Sequence, residues 1–437
     1  MANSTEAQHQ DGWSPAWLVA ILAAFFAVVF VQYIVKLRHS EHGMRSAFLR
    51  WKPQLEELDR GVNIWDKHAY PNPPIMAILL KPFYMLPPML GASLWFACKA
   101  VMALASIVII LSLFNSTGEY RFPFWGQAIA VLLTLRPIEG DLVHGNVNLL
   151  ILFLITAMTW AICRQQDGLG GALLGLGIAC KLTPALFLAY FLWKRAWIVL
   201  ASCVVSIAVF SLVVPGIVFG WQENLQFLQG WHRQMVEPYA AGVVTSEHKN
   251  QSLPGLLHRT LSEAPSFSDF EGDEKIVLEQ HNLVSWDRQV VHAIIIGCMA
   301  TFALLVVLFC QSPMETRPRL ALLAEFSIVV LGMLLFCERT WKHHCVTLLL
   351  PFSVLAYHAS TPVLSAGLRW YLGTTLLTSA LLMLATSTGV IDQHVEASER
   401  FGKLAQVYGA YVWVFLLLTV SLFVILRQSA TEEPRTQ

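Results

Sequence analysis

Five short polar islands carry the side chains in this sequence that could do chemistry, and long apolar stretches separate them. In chain order they are Tyr70–Ile75 (YPNPPI), Asp141–Asn148 (DLVHGNVN), Lys181–Pro184 (KLTP), Asn250–Pro254 (NQSLP) and Glu338–His344 (ERTWKHH). The prolines of the first forbid a helix there and stiffen the chain. Tyr70 and Asn72 could present a ring and an amide to a ligand, or the segment could be a rigid connector. In the second island Gly145 permits close backbone approach. Its His144, Asn146 and Asn148 could hydrogen-bond a sugar or a phosphate, or the amides could cap the next helix. Lys181 could bind a phosphate with help from nearby helix termini, or it could snorkel to the headgroups. Asn250 and Gln251 could contact a hydroxylated substrate, with Arg259 as an anion ligand. Asn250-Gln251-Ser252 also fits the N-glycosylation pattern, and an ordinary polar loop is the plain alternative. The last island gathers Arg339, Trp341, Lys342, His343 and His344 into a cationic pocket candidate for phosphate or substrate, or holds a satisfied interfacial His pair. Adjacent histidines on a helix point about 100° apart and rarely share one metal. No HExxH or CxxC pattern occurs, so no metal site is expected and the eight cysteines read as small buried apolar residues.

The elements that must position these groups are membrane helices. Hydrophobic residues make up 56% of the chain and charged residues 13%, against roughly 25% charged in soluble proteins. Net charge is zero, so nucleic acid is not an implied partner. About 20 apolar residues span a bilayer. Candidate spans are 16–35, 92–114, 145–163, 197–219, 289–310, 320–337, 366–388 and 408–426, with shorter ones at 123–137 and 345–359. The expected fold is an all-α polytopic helix bundle of about 10–13 membrane segments, some short or broken. The stretch 169–193 reads as one span or as two half-helices meeting at Lys181-Leu182-Thr183-Pro184. With the N-terminus cytoplasmic and 169–193 a hairpin, Arg121, Arg164, Lys194, Arg195, Arg317, Arg319, Arg369 and Arg427 fall on the cytoplasmic side. Every polar island then falls on the opposite face. The mixed-charge loop 36–73 does not follow that bias. The organisation expected is a polar tail 1–15, a membrane domain 16–427 with outer loops 36–91 and 220–288, and a tail 428–437. Phe48, Trp51, Leu55 and Leu58 predict an amphipathic surface helix, kinked or starting at Pro53. Ser262–Glu274 reads as a mobile loop.

Taken in order, the islands resemble glycosyltransferase family 87, the polyprenol-phosphate-mannose-dependent mannosyltransferase-like membrane proteins of the GT-C superfamily. The resemblance rests on Tyr70–Pro74, Gly145–Asn148, Gly175–Pro184, Asn250–Ser252 and Trp341–His344, and covers roughly residues 15–425. It implies a multispan fold in the cell (inner) membrane with an extracytoplasmic site. It further implies inverting transfer of a hexose or pentose, often mannose, from a polyprenyl-phosphate donor to a lipid-linked or extracytoplasmic glycan acceptor, with no resident cofactor. A carboxylate would deprotonate the acceptor hydroxyl while Lys181, Arg339, Lys342, His343 and His344 hold the departing phosphate. The family places an Asp shortly after the first span. Here Ser40–Ser46 holds Glu41 and no Asp, so Glu41, Asp59 and Asp141 are the candidate bases. Asn146 stands where Gln is more usual. The alternatives are a transporter or flippase of a lipid-linked or anionic solute, suggested by the broken span, and a catalytically inactive family member.

Overall fold

Apolar runs become helices, and Pro, Gly or a polar island ends each one. The computed structural model describes residues 15–39, 46–115, 120–271, 274–311, 313–314, 317–387 and 395–432. Helix α1 (Pro15–His39) is followed by the short α2 (Ala47–Leu58), α3 (Ile64–Lys67) and α4 (Pro74–Tyr84), then by α5 (Pro88–Asn115), α6 (Phe124–His144) and α7 (Asn148–Cys163). The third island lies between α8 (Asp167–Cys180) and α9 (Leu186–Trp193), and α10 (Trp197–Ala208) and α11 (Val214–Phe219) form one interrupted span. Next come α12 (Trp221–Met235), α13 (Glu237–Ala240), α14 (Leu253–Leu261) and an antiparallel hairpin of β1 (Pro265–Glu271) with β2 (Glu274–Gln280). The remaining helices are α15 (Arg288–Phe309), α16 (Arg319–Leu335), α17 (Leu349–Ser360), α18 (Ala366–Ala385), α19 (Val395–Val407) and α20 (Ala410–Glu432).

Among the described residues, six helical segments are long and apolar enough to cross a membrane: Ala16–Arg38, Pro88–Asn115, Trp197–Phe219, Arg288–Phe309, Ala366–Ala385 and Ala410–Gln428. The spans expected at 145–163 and 320–337 appear as α7 and α16, of 16 and 17 residues. All of α16 from Ala321 to Leu335 is buried, as befits a helix that is apolar all round.

The break in 169–193 is a hairpin. A Cβ at Gly171 would lie 2.2 Å from the Val199 carbonyl oxygen, and one at Gly175 would lie 2.5 Å from that of Cys203. Small residues thus let the backbones of α8 and α10 touch. Rising positions on α8 meet rising positions on α10, so the two helices run parallel, and α9 must carry the chain back between them. Lys181 is extended at the apex (φ −159°, ψ 126°), followed by one 3-10 turn at Thr183–Ala185. At the far end Lys194 pairs with the buried Glu325 of α16 at 2.8 Å.

Pro215 interrupts the span made by α10 and α11. It supplies no N–H for the Ser211 carbonyl, and a π-turn fills Val209–Val213. The side chain of Asn224, on α12, donates to that carbonyl at 3.0 Å. A freed backbone group inside an apolar region is thereby satisfied.

Two expectations change. Helix α2 starts at Ala47 and runs through Pro53, burying Phe48, Trp51, Leu55 and Leu58 against the bundle. Ser262–Glu274, read as a mobile loop, instead contributes β1. The Ser266 carbonyl accepts from the His248 amide at 2.9 Å, and the Phe267 ring packs on the His248 ring at 4.4 Å between centroids.

Candidate active site

Four of the five islands line one cavity of about 360 Å³. Its polar wall is built by Asn72, Asn146, Lys181, Thr183, Glu338, Arg339, Trp341 and His344, and by Tyr239 from α13. Leu182, Leu186, Met299, Met333 and Phe336 make the rest apolar. One side can thus take a charged head and the other a lipid tail.

Lys181 is held rather than loose. Its Nζ donates to Asn148 Oδ1 at 2.5 Å. Asn148 Nδ2 donates in turn to Asp141 Oδ1 at 2.8 Å, and the Leu149 amide donates to Asp141 Oδ2 at 3.3 Å. Behind Asp141 lies Lys99, fully buried in α5, 3.6 Å from Oδ2. Lys99 also donates to the Asp141 and Leu142 carbonyls at 2.6 and 3.3 Å. The cation therefore meets the carbonyl end of α6, and the carboxylate meets the amide end of α7, as the two helix dipoles favour. Gly145 makes the turn between them at φ +73°, where a Cβ would lie 2.7 Å from Ser46 Oγ. The chain Lys99–Asp141–Asn148–Lys181 leaves two of the Lys181 N–H groups without a partner among the described residues.

Behind Trp341 stands a wall of imidazoles. The His144 and His343 rings are 4.4 Å apart, His343 and His344 are 4.7 Å apart, and Asn146 Nδ2 is 3.3 Å from His343 Nε2. Nδ1 of His344 sits 3.2 Å from the Arg339 carbonyl. Burial first, and then neighbouring positive charge, holds His343 and His344 well below the usual imidazole range. The unfolded histidines, at about 6.5, therefore take up protons first as pH falls. The stability gained by burying them neutral is present above about pH 6.5 and is lost as pH falls toward the folded values. The thermal midpoint is expected to drop as pH falls from about 7 to about 5, and H343Q/H344Q should flatten that slope. Parallel slopes for variant and parent would contradict this.

Several expected ligands sit elsewhere. Asp141 is fully buried with both carboxylate oxygens engaged, so it cannot receive an acceptor proton. Asp59 lies outside the cavity, where it pairs with Lys81 at 2.7 Å and accepts from the Tyr84 hydroxyl at 3.0 Å. Glu41 lies outside the described residues. Tyr70 is fully buried under the edges of Trp51 and Trp65, beneath the turn that presents Asn72. Lys342 donates to the Thr386 carbonyl at 2.9 Å and braces its turn against the end of α18.

The fourth island, Asn250–Pro254, holds the Glu338–His344 wall in place instead of lining the cavity. Asn250 Nδ2 donates to the Glu338 carbonyl at 2.9 Å, and its Oδ1 accepts from the Thr340 amide at 2.9 Å. Gln251 Nε2 donates to the His248 and Gln406 carbonyls at 2.6 and 2.8 Å. Arg259 is fully buried and donates to the carbonyls of Ser246, Glu247, Asn250, Gln406 and Val407. No surface of its guanidinium remains for an anion, and Asn250 is too buried to be a glycan acceptor.

Sequence reasoning missed three participants. Glu338 is the carboxylate among the cavity's lining residues. Tyr239 carries a phenol in the wall and donates to the Phe336 carbonyl. Lys99 had a readable signal, a lone cation inside an apolar span.

Comparison with known proteins adds an independent line. The sequence model of glycosyltransferase family 87 matches residues 70–338. The polyprenol-phosphate-mannose-dependent alpha-(1-2)-phosphatidylinositol mannoside mannosyltransferase of Mycolicibacterium smegmatis is 27% identical over 368 residues, 78% of this chain and 72% of that one. The alpha-(1->3)-arabinofuranosyltransferase of Corynebacterium glutamicum is 29% identical over 157 residues, 35% of each chain. Among solved structures, ArnT from Cupriavidus metallidurans bound to undecaprenyl phosphate aligns over 95% of this chain and 79% of that one, at 13% identity and a TM-score of 0.41.

Proposed function

Because the chain belongs to glycosyltransferase family 87, we propose that it moves a hexose, most simply mannose, from a polyprenyl-phosphate donor to a lipid-linked or extracytoplasmic glycan acceptor. The observation that carries this reading is the held but incompletely bonded ammonium of Lys181 on the polar wall of a half-apolar cavity. A polyprenyl phosphate has the matching chemistry, with an anion at one end and an isoprenoid tail at the other. The acceptor oxygen attacks the anomeric carbon from the face opposite the phosphate. The carbon–oxygen bond to phosphate breaks, its electron pair leaves with the polyprenyl phosphate, and the anomeric centre inverts. Lys181 and Arg339 stabilise the charge that develops on that phosphate. They supply the neutralisation a divalent ion would give, so chelation should leave the rate unchanged. Support for transfer over transport comes from the far end of the hairpin, where buried Lys194 and Glu325 pair against the sealed α16.

The acceptor's proton goes to a carboxylate. Glu338 is our candidate because it stands on the cavity wall beside Arg339, 3.4 Å from its Nη2. E338Q should lower kcat by about 10²–10⁴-fold, while E41Q stays near the parent rate. The reverse result would move the base to the first outer loop. The reaction itself is tested with purified protein in lipid, labelled polyprenyl-phosphate mannose and a membrane extract. Absence of transfer with mannose, and with every other lipid-linked hexose or pentose, would overturn the proposal.

A further inference from the structure

A second cavity, of about 290 Å³, opens beside the first on the same face of the bundle. Its polar lining comes from Ser246, from His258 on α14, and from Arg288, Gln289 and His292 at the start of α15. No carboxylate is among the lining residues. Asp287, the neighbour of Arg288, directs an oxygen to the Gln289 amide at 2.7 Å. His258 is 5% exposed, and its Nε2 has no hydrogen-bond partner among the described residues. The His292 ring lies against Gly242, where an added Cβ would come within 3.0 Å of its Nδ1. Gly242 is at φ +81°, so the loop is shaped to admit that ring. A buried, partnerless imidazole nitrogen beside an exposed guanidinium and a second imidazole is a donor set awaiting an acceptor.

We infer that this cavity binds a phosphate group, and that it seats the headgroup phosphate of an anionic lipid. The depth fits, because α15 is a membrane-spanning helix and Arg288 and His292 lie in its first two turns. The relation to the first cavity also fits. Met299 of that cavity follows His292 by seven residues, two turns along the same helix face, about 10 Å deeper. A lipid held by its phosphate at Arg288 therefore stands one short segment from the donor cavity, as an acceptor lipid must. That role rests on the proposed transfer reaction; the binding does not.

The full-length protein in detergent is titrated with phosphatidylglycerol or phosphatidylcholine and read by native mass spectrometry. The parent should retain phosphatidylglycerol with about tenfold preference, and R288Q/H292Q should lose that preference while its thermal midpoint and phosphatidylcholine retention hold. R288Q alone, on an exposed side chain, decides the same point should the double variant fail to fold. Inorganic phosphate alone separates the sources. A rise in the parent's thermal midpoint that the variant lacks assigns the site to soluble phosphate. Lipid preference without that rise assigns it to a headgroup, and both outcomes support a phosphate site. Equal phosphatidylglycerol retention by parent and variant, with no phosphate-dependent shift in either, overturns it. In the transfer assay R288Q/H292Q should raise the acceptor KM and leave kcat unchanged. Parent protein without transfer activity would sink the reaction while leaving the binding result standing.

Discussion

Lys181→Met is expected to lower kcat by roughly 10²–10³-fold, the usual cost of removing one preorganised donor from a developing oxyanion. It is also expected to leave the thermal midpoint close to that of the parent. The two expectations follow from different features of the same side chain. The ammonium is presented at the apex of a hairpin, on extended backbone, with one bond to Asn148 and two N–H groups without a partner among the described residues. Those free donors are what a leaving phosphate would use. The same ammonium is costly to keep in an apolar surround, so an isosteric methionine removes that burden along with the bond. Rate and donor affinity should therefore fall without a matching loss of fold. Equal thermal destabilisation with unchanged donor affinity would mean that Lys181 is a structural residue of the break, and the phosphate role would be lost.

Much of this site was legible before any fold was drawn, because the membrane makes polar residues expensive. Islands such as Lys181–Pro184 stood out against their apolar surroundings, and the charge bias of the loops put all five on one face. Four of them do meet at one cavity. The sequence was weaker on what each side chain faces. Asp141 and Asn148 lie seven residues apart across a tight turn, and only the left-handed Gly145 folds one back onto the other. Arg259 looked like an anion ligand, but its acceptors come from positions as distant as Gln406 and Val407. Asn250 and Gln251 looked like substrate contacts for the same reason, since backbone carbonyls from remote loops leave no trace in composition. Glu338 sat in full view between Cys337 and Arg339, and only the cavity distinguishes it from Asp59. Local pattern reports the cost of a polar group; tertiary packing decides which neighbour repays it.

Lys99 and Asp141 should show the largest stability effect in the chain, and a nonadditive one. Each is fully buried, and each is the other's nearest opposite charge. Lys99→Met leaves the carboxylate without its cation and strips the donor from the Asp141 and Leu142 carbonyls. Asp141→Asn leaves the ammonium without its anion. Breaking a buried pair from one side costs about 3–5 kcal/mol, because an uncompensated charge remains in the apolar interior. Replacing both partners removes both charges, so K99M/D141N should recover most of that loss. A coupling energy at least as large as one single loss, about 3 kcal/mol or more, is the expected reading in a reversible SDS titration; additive single losses would show that the pair is not a unit. The pair also fixes Asn148, and through it Lys181. In lipid, where folded protein can be counted, each single variant should therefore lose more transfer activity than its folded fraction explains. The double variant should regain fold more fully than rate, because an amide at position 141 still meets Asn148 but no longer holds it by charge.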